Sequence, residues 1–198
     1  MPRPRIARFL AAAGVAALLP LSFASDAHAA TYLQTISLMN VTTMKCADLP
    51  GYGWNPVDTR VSQYPCRPGR DDNQMWRLER TRTVDGRALY QFANDKSGYC
   101  LDLPDYGAAP AGAPVAVYTC ASDPATDNQE WYLVDVVGNG GYEIVNYKSG
   151  LCLDVAGWAG DGSDRADDLP LTAYPCYDSS WQGGVYEGYD DHIWRFYG

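Results

Sequence analysis

The sequence is short of histidine, of basic residues and of long apolar runs. Of its 198 residues only two are histidine, and 15 Lys and Arg stand against 24 Asp and Glu, which gives a formal charge of −9. Nucleic acids and anionic lipid surfaces select basic proteins, so neither is expected as a partner. After the first 30 residues no segment approaches the apolar length of a membrane-spanning helix.

The N-terminal segment has the layout of a secretory signal peptide. Three arginines within the first eight residues precede an apolar stretch, residues 9–24, and a small-x-small site, Ala27-His28-Ala29. This order predicts a signal peptide over residues 1–29, cleaved after Ala29 or, as the alternative, after Ala30. A spanning or amphipathic helix is the competing interpretation, which the short run and Pro20 disfavour.

Export would leave a mature chain of 169 residues with a formal charge of −11. His192 would be its one histidine, so neither catalysis by a His triad nor a multi-His metal site is expected. The location predicted by the signal peptide is extracellular, and oxidising conditions there favour disulfides.

All six cysteines lie in the predicted exported part, where they allow 15 pairings. None has the C-x₂-C spacing typical of zinc sites. Internal repetition selects among the pairings, because the cysteines fall into two pairs 20 positions apart and one pair 24 apart. We therefore predict three local disulfides, Cys46–Cys66, Cys100–Cys120 and Cys152–Cys176.

The repetition extends to the residues around each cysteine pair. An aspartate follows each first cysteine by two positions, a tyrosine precedes each second cysteine by two, and a tryptophan closes each repeat. An asparagine also stands six positions before each first cysteine. The first cysteines are 54 and 52 residues apart, which gives three repeats at approximately 32–80, 87–135 and 140–198.

Helical periodicity is almost absent after residue 30. Short apolar or alternating runs, such as residues 88–92 and 142–146, are bounded by Gly-, Asn- and Pro-rich turns, which indicates strands and hairpins. Three copies of about four strands predict an all-β architecture that is closed to remove exposed sheet edges. Three lobes favour a barrel over a propeller, which has at least four blades.

The pattern Cys-x-Asp, aromatic-x-Cys and Gln-x-Trp, repeated three times, resembles the ricin B-type β-trefoil lectin family. The resemblance covers about residues 32–198, and it implies a β-trefoil lectin domain over residues 30–198. It also implies a secreted, non-enzymatic protein that binds glycans or polysaccharides without a cofactor or metal. The third repeat departs from the pattern, because Asp191-His192 replaces Asn-Gln and the Cys-to-Trp distance is 42 positions against 30 and 31.

The resemblance assigns sugar binding to the aspartate, the tyrosine and the asparagine or glutamine of each repeat. A carboxylate accepts hydrogen bonds from hydroxyl groups, an amide both donates and accepts hydrogen bonds, and an aromatic ring covers the apolar face of a sugar. Structural roles stay open as alternatives: turn caps for the aspartates, edge-strand packing for the tyrosines, and support for the glutamines. The predicted residues are Asp48, Tyr64, Asn73 and Gln74 in the first repeat, Asp102, Tyr118, Asn128 and Gln129 in the second, and Asp154, Tyr174 and Asp191 in the third.

Three further features have two interpretations each. The aromatics six positions after each first cysteine, Tyr52, Tyr106 and Trp158, form a second pocket wall or cover the hairpin. The insertion 177–190 is a separate contact surface or a solvated loop. The acidic run 161–168 lacks the spacing of a calcium-binding EF-hand, so calcium is not expected.

Other functions compete with that of a lectin. The cell-binding subunit of a secreted toxin shares the predicted fold but needs a separate enzyme chain. A trefoil-type protease inhibitor acts through one exposed loop and has no need of a triplicated pocket. A glycosidase needs a single pair of carboxylates, whereas the same residues recurring in each lobe are what a multivalent binder shows.

Overall fold

Six long strands form a closed antiparallel barrel. The computed structural model describes residues 30–67, 69, 71–136, 140–157, 160–176 and 191–198. Each barrel strand pairs with the next along the chain, and the last pairs with the first. This closure leaves no barrel strand at a sheet edge. The barrel strands are β1 (Thr31–Asn40), β5 (Met75–Val84), β6 (Arg87–Asn94), β10 (Trp131–Val136), β11 (Gly141–Asn146) and β14 (Ile193–Tyr197).

Three hairpins of shorter strands complete the fold, one in each repeat. The first strand of each hairpin pairs with the barrel strand before it, which is β1, β6 or β11. Each repeat therefore contributes two barrel strands and one hairpin. The threefold β-trefoil predicted from the sequence is confirmed. The hairpins are β2 (Lys45–Asp48) with β4 (Ser62–Pro65), β7 (Cys100–Asp102) with β9 (Ala116–Tyr118), and β12 (Leu151–Val155) with β13 (Leu171–Pro175).

Two-residue strands join neighbouring hairpins. β3 (Thr59–Arg60) pairs with β9, and β8 (Ala113–Pro114) pairs with β13. A 3₁₀ turn at Pro124–Thr126 is the one helical element among the described residues. In that part of the chain no helix is long and apolar enough to span a bilayer. The predicted signal peptide, Trp158 and the insertion 177–190 lie outside the described residues.

Turn chemistry accounts for the tight connections between strands. The β5–β6 hairpin turns at Asp85-Gly86, where both residues have positive φ (50° and 78°), as a type I′ turn requires. Gly98 and Gly150, at the ends of the two Lys-Ser-Gly turns, also have positive φ. The asparagine that precedes these turns accepts two backbone N–H bonds from them, for example from Lys96 and Ser97.

The closing tryptophans are completely buried in a core that all three repeats share. Each indole N–H donates to the carbonyl of the residue before the motif aspartate: Trp76 to Ala47 (3.2 Å), Trp131 to Leu101 (3.5 Å) and Trp194 to Leu153 (2.9 Å). In each repeat the buried tryptophan therefore holds the strand that carries the motif aspartate. The three predicted disulfides, Cys46–Cys66, Cys100–Cys120 and Cys152–Cys176, are confirmed.

Candidate functional site

The predicted aspartate and tyrosine of each repeat share one face of a hairpin. In the second repeat Cys100 pairs with Tyr118 and Asp102 with Ala116. Side chains two positions apart along a strand point to the same face, so Asp102 and Tyr118 are diagonal neighbours. The other hairpins have the same register, which places Asp48 with Tyr64 and Asp154 with Tyr174.

Exposure differs between the two members of each pair. Tyr118 and Tyr174 are 38% and 50% exposed, so their rings are accessible to a ligand. The carboxyls lie deeper, since Asp48 and Asp154 are each 6% exposed and Asp102 is partly buried. The second and third hairpins therefore present an aromatic ring at the surface beside a recessed carboxyl group, whereas Tyr64 in the first is half-buried.

The glutamine of the closing motif holds the carboxyl group in repeats one and two. Gln129 donates to Asp102 Oδ1 (3.0 Å) and to the carbonyl of Thr119 (3.0 Å), and it accepts from the backbone N–H of Ala121 (2.8 Å). Gln74 makes the matching bonds to Asp48 and to the chain on either side of Cys66. Each glutamine thus joins the aspartate to the end of the opposite strand.

The asparagine before each glutamine is completely buried. The amide of Asn128 donates to the carbonyls of Pro104, Asp105 and Gly107 at 3.1–3.2 Å, and its oxygen accepts from the N–H of Leu103. Asn73 does the same for residues 49–55. Both asparagines lie beside the predicted site, but their amide hydrogens are bonded to the adjoining loop.

A second set of asparagines connects each motif to the next repeat. Asn94 donates to the carbonyl of Asn73 (2.6 Å) and Asn146 to that of Asn128 (2.5 Å). Asn40, near the start of the chain, donates to the carbonyl of Asp191 (2.5 Å), 151 positions away. The three motifs are therefore held in a ring, and the position of each depends on a neighbouring repeat.

The third repeat keeps the aspartate and tyrosine but surrounds them differently. His192 Nε2 lies 3.2 Å from Asp154 Oδ1, the position that glutamine takes in the other repeats. Thr172 donates to Asp154 Oδ2 (2.5 Å), and the imidazole stacks on the Tyr174 ring. Burial, followed by the adjacent Asp154 carboxyl, raises the pKa of Asp191. An imidazole therefore stands where an amide holds the carboxyl group in the other two repeats.

The first repeat contains a cation that the sequence analysis did not select. Arg67 donates to the Tyr52 hydroxyl (2.6 Å), and its guanidinium lies over the rings of both Tyr52 and Tyr64. Together with Asp71 and Asp72 it lines a shallow cleft. The available signal was its place directly after Cys66, where the second repeat has Ala121.

Burial raises the pKa of the Asp48 and Asp102 carboxyls to about 7, although the glutamine bonds oppose this shift. The folded chain therefore binds these protons more tightly than the unfolded chain does. The stabilisation is fully present below the unfolded pKa near 4 and is lost as the pH rises through about 7. We expect the contribution of these groups to the free energy of unfolding to fall between pH 4 and 7 and then to level off.

Urea unfolding of the wild-type protein and of the Asp48→Asn/Asp102→Asn variant at pH 4, 6 and 8 measures this effect. The variant should gain stability relative to wild type as the pH rises, because its amides do not ionise. The exposed Asp135→Asn substitution on β10 is the control, and it should follow the wild-type profile. Parallel profiles for wild type and the double variant would rule out the effect.

Comparison with known proteins agrees with this architecture. A family model for the ricin-type beta-trefoil lectin domain-like group matches residues 27–118 and, in a second match, residues 72–167. No curated protein sequence matches the chain significantly.

Solved structures share the fold at low sequence identity. The designed threefold-symmetric protein ThreeFoil is 27% identical, with 83% of this chain and 98% of that chain covered and a TM-score of 0.61. A Macrolepiota procera ricin B-like lectin solved in complex with lactose is 16% identical, with 82% and 94% covered and a TM-score of 0.56. The Haemophilus ducreyi cytolethal distending toxin is 16% identical, with 89% and 87% covered and a TM-score of 0.55.

The family matches together span more than half of the chain, and the structure has the threefold arrangement of a closed barrel with one hairpin per repeat. The protein therefore belongs to the ricin-type β-trefoil lectin domain-like family.

Proposed function

We propose that this chain is a secreted, non-enzymatic lectin whose domain spans residues 30–198 after removal of residues 1–29. Its glycan sites are the hairpins of the first two repeats. The observation that carries the proposal is the recurrence of one arrangement: a tyrosine and a recessed aspartate on one face of the hairpin, with a glutamine bonded to that aspartate. A catalytic centre needs one such set, whereas a multivalent binder uses several.

In the second repeat Asp102 accepts hydrogen bonds from sugar hydroxyl groups, while the Tyr118 ring covers the apolar face of the sugar. Gln129 already holds one carboxylate oxygen, so the carboxylate needs little reorientation when a sugar arrives. Asn128 shapes the loop 103–107 in this account, since its amide is bonded there, and Tyr106 on that loop is 68% exposed as a second wall.

The third repeat is a weaker sugar site in this proposal. Asp154 and Tyr174 are in register, but Asp191 replaces the asparagine that holds the adjoining loop in the other repeats, and His192 replaces the glutamine. The two regular sites lie on separate hairpins, so that they engage one glycan surface together and gain avidity.

A second candidate function is that of a toxin's cell-binding subunit, which the likeness to the cytolethal distending toxin favours. Both functions use the same sugar sites, and they differ in the partner. Co-purification of a second polypeptide from the native source separates them.

A glycan array identifies the sugar, and titration with its monovalent form tests the sites. At pH 8, where the Asp102 carboxyl is largely ionised, Asp102→Ala in an Asp48→Ala background, which leaves the second repeat, should weaken binding by about 1.5–3 kcal/mol through lost charged hydrogen bonds. This is about tenfold or more in affinity. Tyr118→Ala should weaken binding by about 1–3 kcal/mol through lost apolar contact.

The matched control is Asp135→Ala, which removes an exposed carboxylate from barrel strand β10 and should leave affinity unchanged. Circular dichroism establishes that each variant is folded. Folded Asp102→Ala and Tyr118→Ala variants with wild-type affinity would exclude this hairpin as the site.

A further inference from the structure

Two carboxylates and an imidazole meet in the third repeat, where the other repeats have one carboxylate and two amides. His192 Nε2 lies 3.2 Å from Asp154 Oδ1, and His192 Nδ1 lies 3.9 Å from Asp191 Oδ1. One nitrogen or oxygen atom from each of the three residues lies within 4.8 Å of the others. This spacing lets a single small ion contact all three.

Three carboxyl groups lie in this region, and one imidazole and one guanidinium contact them. Asp191 is only 4% exposed, and no donor among the described residues bonds its Oδ2. Asp164 is completely buried, and no donor among the described residues bonds its Oδ2 either. Its negative charge also contributes to the raised pKa of Asp191. Arg165 contacts Asp164 through its other oxygen, Oδ1 (3.1 Å). Buried carboxylates are normally paired or bound to a metal, so this group favours a cation.

The first repeat shows what the same position contains when no extra charge is present. There Asn73 takes the place of Asp191, and its amide donates to Asn55 Oδ1 (3.1 Å) and to loop carbonyls. Asp191 keeps the backbone bond from Asn40 but has no amide hydrogen to contribute. The backbone position is therefore preserved while the donor has been replaced by an acceptor.

We propose that Asp154, Asp191 and His192 bind a divalent transition-metal ion, for which Zn²⁺ is the probe. Imidazole nitrogen and carboxylate oxygen are ordinary Zn²⁺ ligands, whereas Ca²⁺ takes oxygen ligands. Thr172 donates to the second oxygen of Asp154 and holds that ligand, and Tyr174 packs on the imidazole. Three protein ligands leave a fourth position of a tetrahedral site for water. The site does not depend on sugar binding by the other repeats.

Isothermal titration of untagged protein with Zn²⁺, and separately with Ca²⁺, tests the proposal. We expect one Zn²⁺ per chain and no comparable Ca²⁺ binding. His192→Gln should weaken Zn²⁺ binding by at least about tenfold, because it removes one of the ligands. Replacing a residue that only supports a ligand already lowers metal affinity by about that factor. It is a conservative change, since Gln74 and Gln129 occupy the matching position in the other two repeats.

Asp191→Asn is the second variant, chosen because Asn73 and Asn128 occupy the matching positions, and it should also lose Zn²⁺ binding. Asp135→Ala, which removes an exposed carboxylate on β10, is the control and should keep it. The imidazole proton resonances of His192, assigned by their loss in His192→Gln, should shift when Zn²⁺ is added. Absence of Zn²⁺ binding, equal binding of Ca²⁺, or unchanged Zn²⁺ binding in folded His192→Gln would each overturn the proposal.

Discussion

Reduction of the three disulfides is expected to unfold most of the protein at 37 °C. Each bridge closes a loop of 20 or 24 residues, which the chain-entropy model values at about 3 kcal/mol. Three bridges together approach the whole stability of a typical domain, about 5–15 kcal/mol. The effect is large because the cross-linked strands are short, three to five residues, so few backbone hydrogen bonds hold a hairpin once its bridge is reduced.

Thermal unfolding followed by tryptophan fluorescence, with and without reductant, measures this loss. Each core tryptophan donates a hydrogen bond to the strand that carries the first cysteine of a bridge. The fluorescence therefore reports on the packing of that strand against the core. Replacing only Cys100 and Cys120 by alanine should give an intermediate melting temperature. A fully reduced protein that melts within a few degrees of the oxidised one would show that the barrel alone supplies the stability.

Asn128→Asp is expected to destabilise the fold by about 3–5 kcal/mol, the cost of an uncompensated charge in a buried position. Three loop carbonyls lose their donor and face a carboxylate instead. Loop 103–107 should then move, and sugar affinity in the second repeat should fall with it. Urea unfolding at pH 8, where the new carboxyl is driven to ionise, measures the stability change.

Asp127→Asn is the control for this substitution. Asp127 uses its Oδ1 to accept from the N–H of Asn128, and an asparagine oxygen accepts equally well. Its free energy of unfolding should therefore stay within about 0.5–1.5 kcal/mol of wild type, the range of one hydrogen bond. If Asn128→Asp is as mild as this control, the amide does not hold the loop.

The sequence was sufficient to predict the fold because the repeat constrains it three times over. Matched positions for cysteine, aspartate, tyrosine and tryptophan can be satisfied only if all three repeats fold alike. The period-2 geometry of strands then places an aspartate two residues after one cysteine beside a tyrosine two residues before the other. The disulfides were predictable for this reason, and the Asp–Tyr pairs were predicted from the resemblance to the ricin B-type lectins.

Contacts that depend on side-chain direction or chain closure were not predictable. The local sequence around Asn128 does not show that its amide donates hydrogen bonds to the loop 103–107. The bond from Asn40 to Asp191 joins residues 151 positions apart and exists only once the barrel closes. The cluster of Asp154, Asp191 and His192 likewise needs β12 and the segment before β14 to meet. The sequence marked Asp191 and His192 as departures from the repeat but did not group them with Asp154.

The central claim is that sugar binds on the hairpins of the first two repeats, at the Asp–Tyr pairs. Two-dimensional ¹H–¹⁵N NMR during titration with the monovalent sugar locates the site without altering any residue. The account predicts that the shifted amides cluster on β2, β4, β7 and β9, around Asp48, Tyr64, Asp102 and Tyr118. Shifts confined to the barrel, for example near Arg87 and Tyr132 where a cation lies over an aromatic ring, would contradict it.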